Sequence, residues 1–194
     1  MNNPKIRIII STIREGRFGD KPARWIFDIA SGREGLDFEI VDLRDYPLSH
    51  LREHPPTGHE TSRWSGKLDE LDGNLFVTAE YNHSMPGVLK NALDHVSPEC
   101  HRKPAAFVGY GGVGGARAVE QLRLVCIELQ MAPTRTGVHI GMGPLLGVRK
   151  EGKSLSDYDF LTSSADTMLD ELAWWTFTLK AGREEAIEYI GAEL

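Results

Sequence analysis

Short apolar runs rich in β-branched and aromatic residues alternate along this chain with stretches of helical periodicity. No other feature constrains the fold as strongly. The runs are "KIRIII" (5–10), "DFEIVD" (37–42), "NLFVTA" (74–79), "KPAAFVGY" (103–110) and "RTGVHI" (135–140), and helical patterns lie between them at 21–31, 61–72, 86–97 and 115–130. Strands separated by helices, several of them apolar almost throughout, are parallel strands covered on both faces. Right-handed crossovers then give a doubly wound α/β sheet. The spacing predicts five parallel strands in the order 2-1-3-4-5, with helices on both faces. At 194 residues the whole of 1–194 is expected to form a single domain.

Helix starts are marked in the sequence. Asp20 with Pro22 is expected to open the first helix, and Ser84 with Pro86 the one at 86–97. Val88, Leu89, Ala92 and Val96 then form an apolar stripe at helical spacing, which is core. The polar, Pro-rich segment 43–60 is expected to be a long surface loop. The stretch "GMGPLLGVRKEGKSLSD" (141–157) is expected to be a Gly-rich connection. A helix over Phe160–Lys180 comes next, extended by 183–190, so 141–194 forms a C-terminal helical extension.

Composition excludes several function classes. The net charge of -6 leaves no electrostatic footprint for nucleic acid. No apolar run approaches a membrane span, and "KIRIII" is too short for a signal-peptide core. Cys100 and Cys126 are far apart and form no CxxC, which implies free thiols and a reducing, cytoplasmic setting. Of the seven histidines, His50 and His54 do stand at H-x-x-E-H spacing, but they lie with His59 in a polar, Pro-rich loop with no cysteine near, so no metal site is expected.

Ligands of open α/β sheets bind beyond the carboxyl ends of the strands, where strand order reverses. The loop "STIREGRFGDK" (11–21) carries Ser11, Thr12, Arg14, Arg17, Gly16 and Gly19 ahead of a helix. Hydroxyls, guanidiniums and a helix N-terminus make a phosphate cradle. The alternative is a solvated loop with scattered charge. It is neither a P-loop nor a Rossmann fingerprint. The loop "EYNHS" (80–84) places an acid, a phenol, an amide and an imidazole after the third strand. In "GYGGVGGAR" (109–117), Gly109, Gly111 and Gly114 spell G-x-G-x-x-G on the fourth βα unit, with no acid ending the next strand. That loop reads as a backbone wall against a flat ligand, with bare turn chemistry as the alternative. A phosphate at one end and a planar, hydrogen-bonding ring at the other describe FMN.

These motifs also carry a family resemblance. "EYNHSMPGVLKNALD" (80–94), "STIREGRFG" and "GYGGVGGARAVEQLR" resemble, in order, the motifs of the NADPH-dependent FMN reductase family over about residues 5–140. The resemblance implies a flavodoxin-like fold. It implies that Thr12, Arg14, Arg17, Phe18 and Gly19 hold the FMN phosphate. Glu80, Tyr81, Asn82 and Ser84 would then border the ring and ribityl chain, with Gly109, Tyr110 and Gly111 at the pyrimidine edge. Tyr81 and His83 are the implied contacts for a substrate, and no side chain is implied as an essential catalyst. Ser11, Ala79 and Gly109 depart from the family pattern, which has Gly, Pro and Ser there. The tail 141–194 matches it poorly.

The activity expected of such a chain is that of an FMN-dependent oxidoreductase working by ping-pong transfer. NADPH (or NADH) delivers hydride, and a small acceptor such as a quinone, azo compound, metal oxyanion or free flavin removes it. The family implies a homodimer or homotetramer, with an exposed apolar stripe on 86–97 or 161–179. The rival is a flavodoxin-like electron carrier serving protein partners. Arg14, Arg17, Lys21 and Arg117 around the loops suit an anionic dinucleotide better. A sensor that has lost its cofactor is a third class, against which the glycines and Arg14 argue.

Overall fold

The computed structural model describes residues 3–52 and 54–190, with side chains as far as Glu185. Strands β1 (Lys5–Ile10), β2 (Asp37–Asp42), β3 (Gly73–Ala79), β4 (Pro104–Tyr110), β5 (Ala132–Pro133) and β6 (Val138–Ile140) form one parallel sheet. The order is β2-β1-β3-β4-β5, with β6 also paired to β4. Helices α1 (Asp20–Ala30), α2 (His59–Asp69), α3 (Gly87–Asp94), α4 (Ala116–Glu128), α5 (Met142–Lys150) and α6 (Asp159–Ile190) complete a flavodoxin-like arrangement. Its order and its covered faces are those expected from the sequence.

The pleat sorts side chains into two cores, because successive residues of a strand point to opposite faces. Ile6, Ile8 and Ile10 of β1 meet Ile26 of α1 and Leu161, Ala165, Met168 and Leu172 of α6 on one face. Ile9, Phe76 and Phe107 meet Trp64, Leu68, Leu89, Leu93, Leu122 and Cys126 of α2, α3 and α4 on the other. Each fully buried Leu, Ile or Phe contributes about 1.5–3 kcal/mol. Both cysteines are free and buried, and burial pushes the Cys100 thiol up to about 12, so neither is a ready nucleophile. Among the described residues no helix is long and apolar enough to cross a membrane.

Four local expectations are corrected. "RTGVHI" is not one strand. Glu171 accepts the N–H groups of Arg135 and Thr136 at 2.7 and 2.8 Å, and Arg123 donates to the carbonyls of Thr134 and Arg135. Backbone groups satisfied by side chains leave the ladder, so of this segment only Val138–Ile140 pairs with β4, and Ala132–Pro133 pairs with it separately, ahead of the segment. The expected connection at 141–157 contains α5 and a 3-10 turn at Leu155–Asp157. Gly147 sits inside α5 because a Cβ there would lie 2.0 Å from Tyr158 Oη. The loop 43–60 begins with a 3-10 turn at Leu43–Asp45, and α2 starts within it at His59. Finally, Asp20 and Ser84 do not cap: the N-cap positions belong to Gly19 and Pro86.

The expected C-terminal extension contributes α6, which lies on the sheet beside α1. Its later turns are tied to the sheet by Lys180 and Arg183, whose side chains reach Asp72 at 3.0 and 2.8 Å. Phe160, Trp174 and Phe177 of α6 remain exposed, and so do Leu124 and Ile127 of α4. The apolar residues Leu89, Ala92 and Leu93 of α3 are buried instead. Trp174 and Trp175 meet edge to face at 5.0 Å.

Candidate cofactor site

The loops after β1, β3 and β4 share one edge of the sheet, because these strands are neighbours in near-flush register. Ile10 pairs with Val77, and Ala79 with Tyr110. Strand order reverses between β1 and β3, where open sheets of this kind bind ligands.

Within 11–19 the residues divide into a buried frame and an exposed surface. Ser11 donates to the Val77 carbonyl at 2.7 Å, and Thr12 Oγ1 lies 3.2 Å from Tyr110 Oη. Arg17, its side chain 2% exposed, reaches Asp20 Oδ1 at 2.8 Å and Asp42 Oδ1 at 2.6 Å, and donates to the Thr12 carbonyl. Those carboxylates hold the Arg17 guanidinium charged against the cost of its burial. Burial alone would raise the Asp42 carboxyl, but hydrogen bonds from Arg17 and the Arg44 N–H outweigh it and hold that group low. Arg44 closes the loop from outside, donating to the carbonyls of Ile13 and Arg14 at 3.1 and 2.6 Å. Phe18 is buried edge to face with Tyr110 at 5.4 Å, and Arg149 of α5 lies over its ring. A Cβ on Gly19 would come 2.9 Å from Tyr110 Oη. Thr12, Arg17, Phe18, Gly19 and Tyr110 therefore form the frame. Ile13, Arg14, Glu15 and Gly16 form the surface. Among the described residues Arg14 has no ion-pair partner. The adjoining α1 has no side-chain cap; Lys21 N–H donates to the Phe18 carbonyl at 3.0 Å and Pro22 has no N–H, so among the described residues the Asp20 N–H is what the helix start leaves for an anion.

Residues 80–84 fold into a tight turn. Tyr81 and Ser84 exchange backbone hydrogen bonds at 2.9 and 3.1 Å, and Asn82 (φ 49) and His83 (φ 68) are both left-handed. Positive φ at both central residues is the type I′ pattern, usually Asn-Gly; here histidine stands where glycine would be easiest. Glu80 does not reach outward. Its side chain is 6% exposed, its Oε2 accepts the Arg117 N–H at 3.2 Å, and its Oε1 pairs with the Arg117 guanidinium. A carboxylate from one loop thus caps α4 behind another, where the helix dipole favours it. Arg117 in turn donates from Nη1 to His83 Nε2 at 2.7 Å.

The glycines of 109–115 serve the loop's return against its own strand. A Cβ on Gly109 would lie 2.8 Å from the Gly114 carbonyl, and one on Gly115 (φ +71) would lie 2.5 Å from the Tyr110 nitrogen. Gly111 (φ +152) brings the loop against Glu80, whose Cβ a side chain there would meet at 3.3 Å. Around the edge Ile13, Tyr81, Val113 and Met142 stand 39 to 51% exposed, an apolar rim on loops otherwise rich in polar groups.

Sequence reasoning missed Asp42, Arg44, Met142 and Arg149. Asp42 reads as the end of a strand, and Arg44 lies in a segment that reads as plain loop, so neither carries a spacing signal. The two α5 residues were hidden with their helix. Its one legible signal was Pro144 in the first turn, with Arg149 and Lys150 in the last and Gly152 beyond.

The model of the family described as NADPH-dependent FMN reductase matches residues 4–144. An NAD(P)H-dependent FMN reductase of Schizosaccharomyces pombe is 37% identical over 142 residues, covering 68% of this chain and 70% of that protein. A 2-hydroxy-1,4-benzoquinone reductase of a Burkholderia species is 35% identical over 135 residues, covering 66% and 72%. Among solved structures, the flavoenzyme NAD(P)H:(acceptor) oxidoreductase FerB of Paracoccus denitrificans superposes with a TM-score of 0.68 at 21% identity, covering 87% of this chain and 97% of that one. The chain belongs to the NADPH-dependent FMN reductase family and is an FMN-dependent oxidoreductase.

Proposed function

We propose that residues 1–194 act as a single domain that binds FMN across the three loops and passes hydride, in ping-pong fashion, from NADPH to a small planar conjugated acceptor of the quinone type. The single observation that carries this reading is the meeting, at one sheet edge, of an exposed Arg14 with no ion-pair partner among the described residues, beside an uncapped helix N-terminus, with the turn at 81–84. The donor set fits FMN. Arg14 and the Asp20 N–H at the start of α1 would meet the phosphate, while Arg17, Thr12, Phe18 and Gly19 set the course of the loop. Tyr81, Asn82, Ser84 and Gly111 would border the ring, with Glu80, Gly109 and Tyr110 supporting them from below.

Bound FMN supplies the hydride relay between nicotinamide and acceptor. This chain's residues do the rest: they hold the ring and offer one apolar rim that the dinucleotide and the acceptor occupy by turns. Exposed Ile13, Tyr81, Val113 and Met142 suit a flat, largely apolar guest, which favours a quinone over a metal oxyanion. The exposed apolar residues of α4 and α6 suit association into a homodimer or homotetramer.

The test is the visible spectrum of protein loaded with FMN, taken anaerobically before and after NADPH. Flavin absorption should bleach within seconds and return on addition of benzoquinone. Bound flavin that NADPH leaves oxidised would point to an electron carrier, and failure to bind flavin would refute the assignment of the loops. Flavin retention should also depend on pH. The Asp42 carboxyl is held below its unfolded value, so its pairing with Arg17 stabilises the loop above that value and is lost as pH falls through the folded one. Acidification below about pH 4 should therefore release FMN before the far-ultraviolet dichroism changes. Loss of both signals together would place the acid-sensitive step in the core.

A further inference from the structure

Two adjacent residues with left-handed backbone, neither of them glycine, need a reason, because glycine would take the second position of this turn without strain. Asn tolerates the conformation; His83 (φ 68) does so less readily, and its ring is not used to hold the core, being exposed. What it does have is a fixed partner. Arg117 Nη1 stands 2.7 Å from His83 Nε2, and Arg117 is itself held by the buried Glu80 carboxylate. A guanidinium can only donate hydrogen bonds. Nε2 must therefore offer its lone pair, and the imidazole carries its proton on Nδ1. The relay Glu80–Arg117–His83 selects one tautomer of one ring at the mouth of the site.

We infer that His83 is a substrate-contact residue, holding a neutral Nδ1–H donor for a carbonyl oxygen of the electron acceptor. Glu80 and Arg117 are its positioning residues. The inference rests on the proposed quinone-type acceptor and narrows it. An acceptor with a ring carbonyl gains a hydrogen bond at this position, and one without such an oxygen gains nothing. The strain at His83 then has a function, since the turn could be built more cheaply without the imidazole.

Two independent measurements test this. The first does not depend on activity: nitrogen-15 chemical shifts of the His83 ring in the FMN-loaded protein. A protonated Nδ1 with an unprotonated Nε2 is expected, and the opposite tautomer would overturn the inference. The second compares acceptors in the His83→Gly and His83→Asn variants. For benzoquinone, kcat/KM should fall about 5- to 10-fold in His83→Gly, mostly through KM, which is the loss of one neutral hydrogen bond. Ferricyanide takes electrons without a carbonyl contact, so the ratio of the benzoquinone to the ferricyanide kcat/KM should fall by about the same factor. His83→Asn, which keeps an amide donor and tolerates the left-handed backbone, should recover much of the quinone rate.

Equal losses for both acceptors, or none for either, would overturn the inference. So would a fall in the Tm of His83→Gly by more than about 4 °C, because the ring would then be holding the fold. If the unaltered protein fails to bleach with NADPH, the oxidoreductase reading fails on its own account, and the nitrogen shifts still decide the tautomer.

Discussion

Replacing Arg14 by alanine should give a folded protein with an unchanged Tm and a largely lost affinity for FMN. Replacing Arg17 should do the reverse, costing stability first and flavin as a consequence. The two arginines lie three residues apart, yet the structure gives them opposite circumstances. Arg14 is exposed, with no ion-pair partner among the described residues, so its removal leaves no buried charge behind. What disappears is a charge-assisted contact to phosphate, about 2–3 kcal/mol, or roughly thirtyfold or more in affinity. Arg17 is buried between Asp20 and Asp42 and also donates to the Thr12 carbonyl. Removing it strands the Asp42 carboxylate and frees the start of the loop. Breaking a buried pair costs about 3–5 kcal/mol, and the lower figure applies because Asp42 is still 23% exposed. In a chain of this size about 3 kcal/mol lowers Tm by roughly 8 °C. Thermal melts and flavin titrations of both variants check the pair. An Arg14→Ala protein that keeps its flavin at wild-type affinity would remove the phosphate from this loop. An Arg17→Ala protein with unchanged Tm would show that the buried network is not holding it.

That contrast shows where sequence reading stops. Alternation of strand and helix was legible because "KIRIII" and "NLFVTA" can be buried on both faces, and few other folds use such runs. The three loops were legible because glycine, hydroxyl and guanidinium groups cluster where strands end. The division of labour within them was not. Nothing in "STIREGRFGDK" distinguishes Arg14 from Arg17; the difference is made by Asp42, at the end of another strand, and by burial. Glu80 was legible as part of the loop expected to border the ring, but the task of its carboxylate, capping α4, was not, because it depends on Arg117 meeting it from another loop. Helix α5 stayed hidden because Gly141, Gly143 and Gly147 mimic a linker. Only the approach of Tyr158 explains the glycine at 147. In each case the missing information is a long-range contact, which local propensity and spacing do not encode.

Glycine at 115 carries the largest effect expected from a single methyl group. Its backbone is left-handed (φ 71, ψ 15), which costs alanine about 1 kcal/mol, and its Cβ would fall 2.5 Å from the Tyr110 nitrogen and 2.8 Å from Gly109 Cα. Those neighbours are backbone, so no side chain can rotate away, and the loop must lift from β4. Lifting it moves the first turn of α4, withdraws the Arg117 N–H from Glu80, and releases His83. Gly115→Ala should therefore destabilise by about 3 kcal/mol or more and abolish bleaching by NADPH. Gly112→Ala is the control in the same loop. Its Cβ would meet only Met142 Cε, at 3.9 Å, and the variant should stay within about 0.5 kcal/mol of the parent with flavin retained. Gly109→Ser tests the same logic against the resemblance. The family pattern has serine there, but in this chain the Cβ would lie 2.8 Å from the Gly114 carbonyl and 3.0 Å from Val119 Cγ2. If contact with flavin governs position 109, the added hydroxyl should tighten FMN binding. If the return of the loop governs it, as this geometry requires, the serine should lower both Tm and flavin affinity. A serine variant that binds FMN more tightly at unchanged Tm would mean the loop has room to spare, and the same result would weaken the expectation for Gly115.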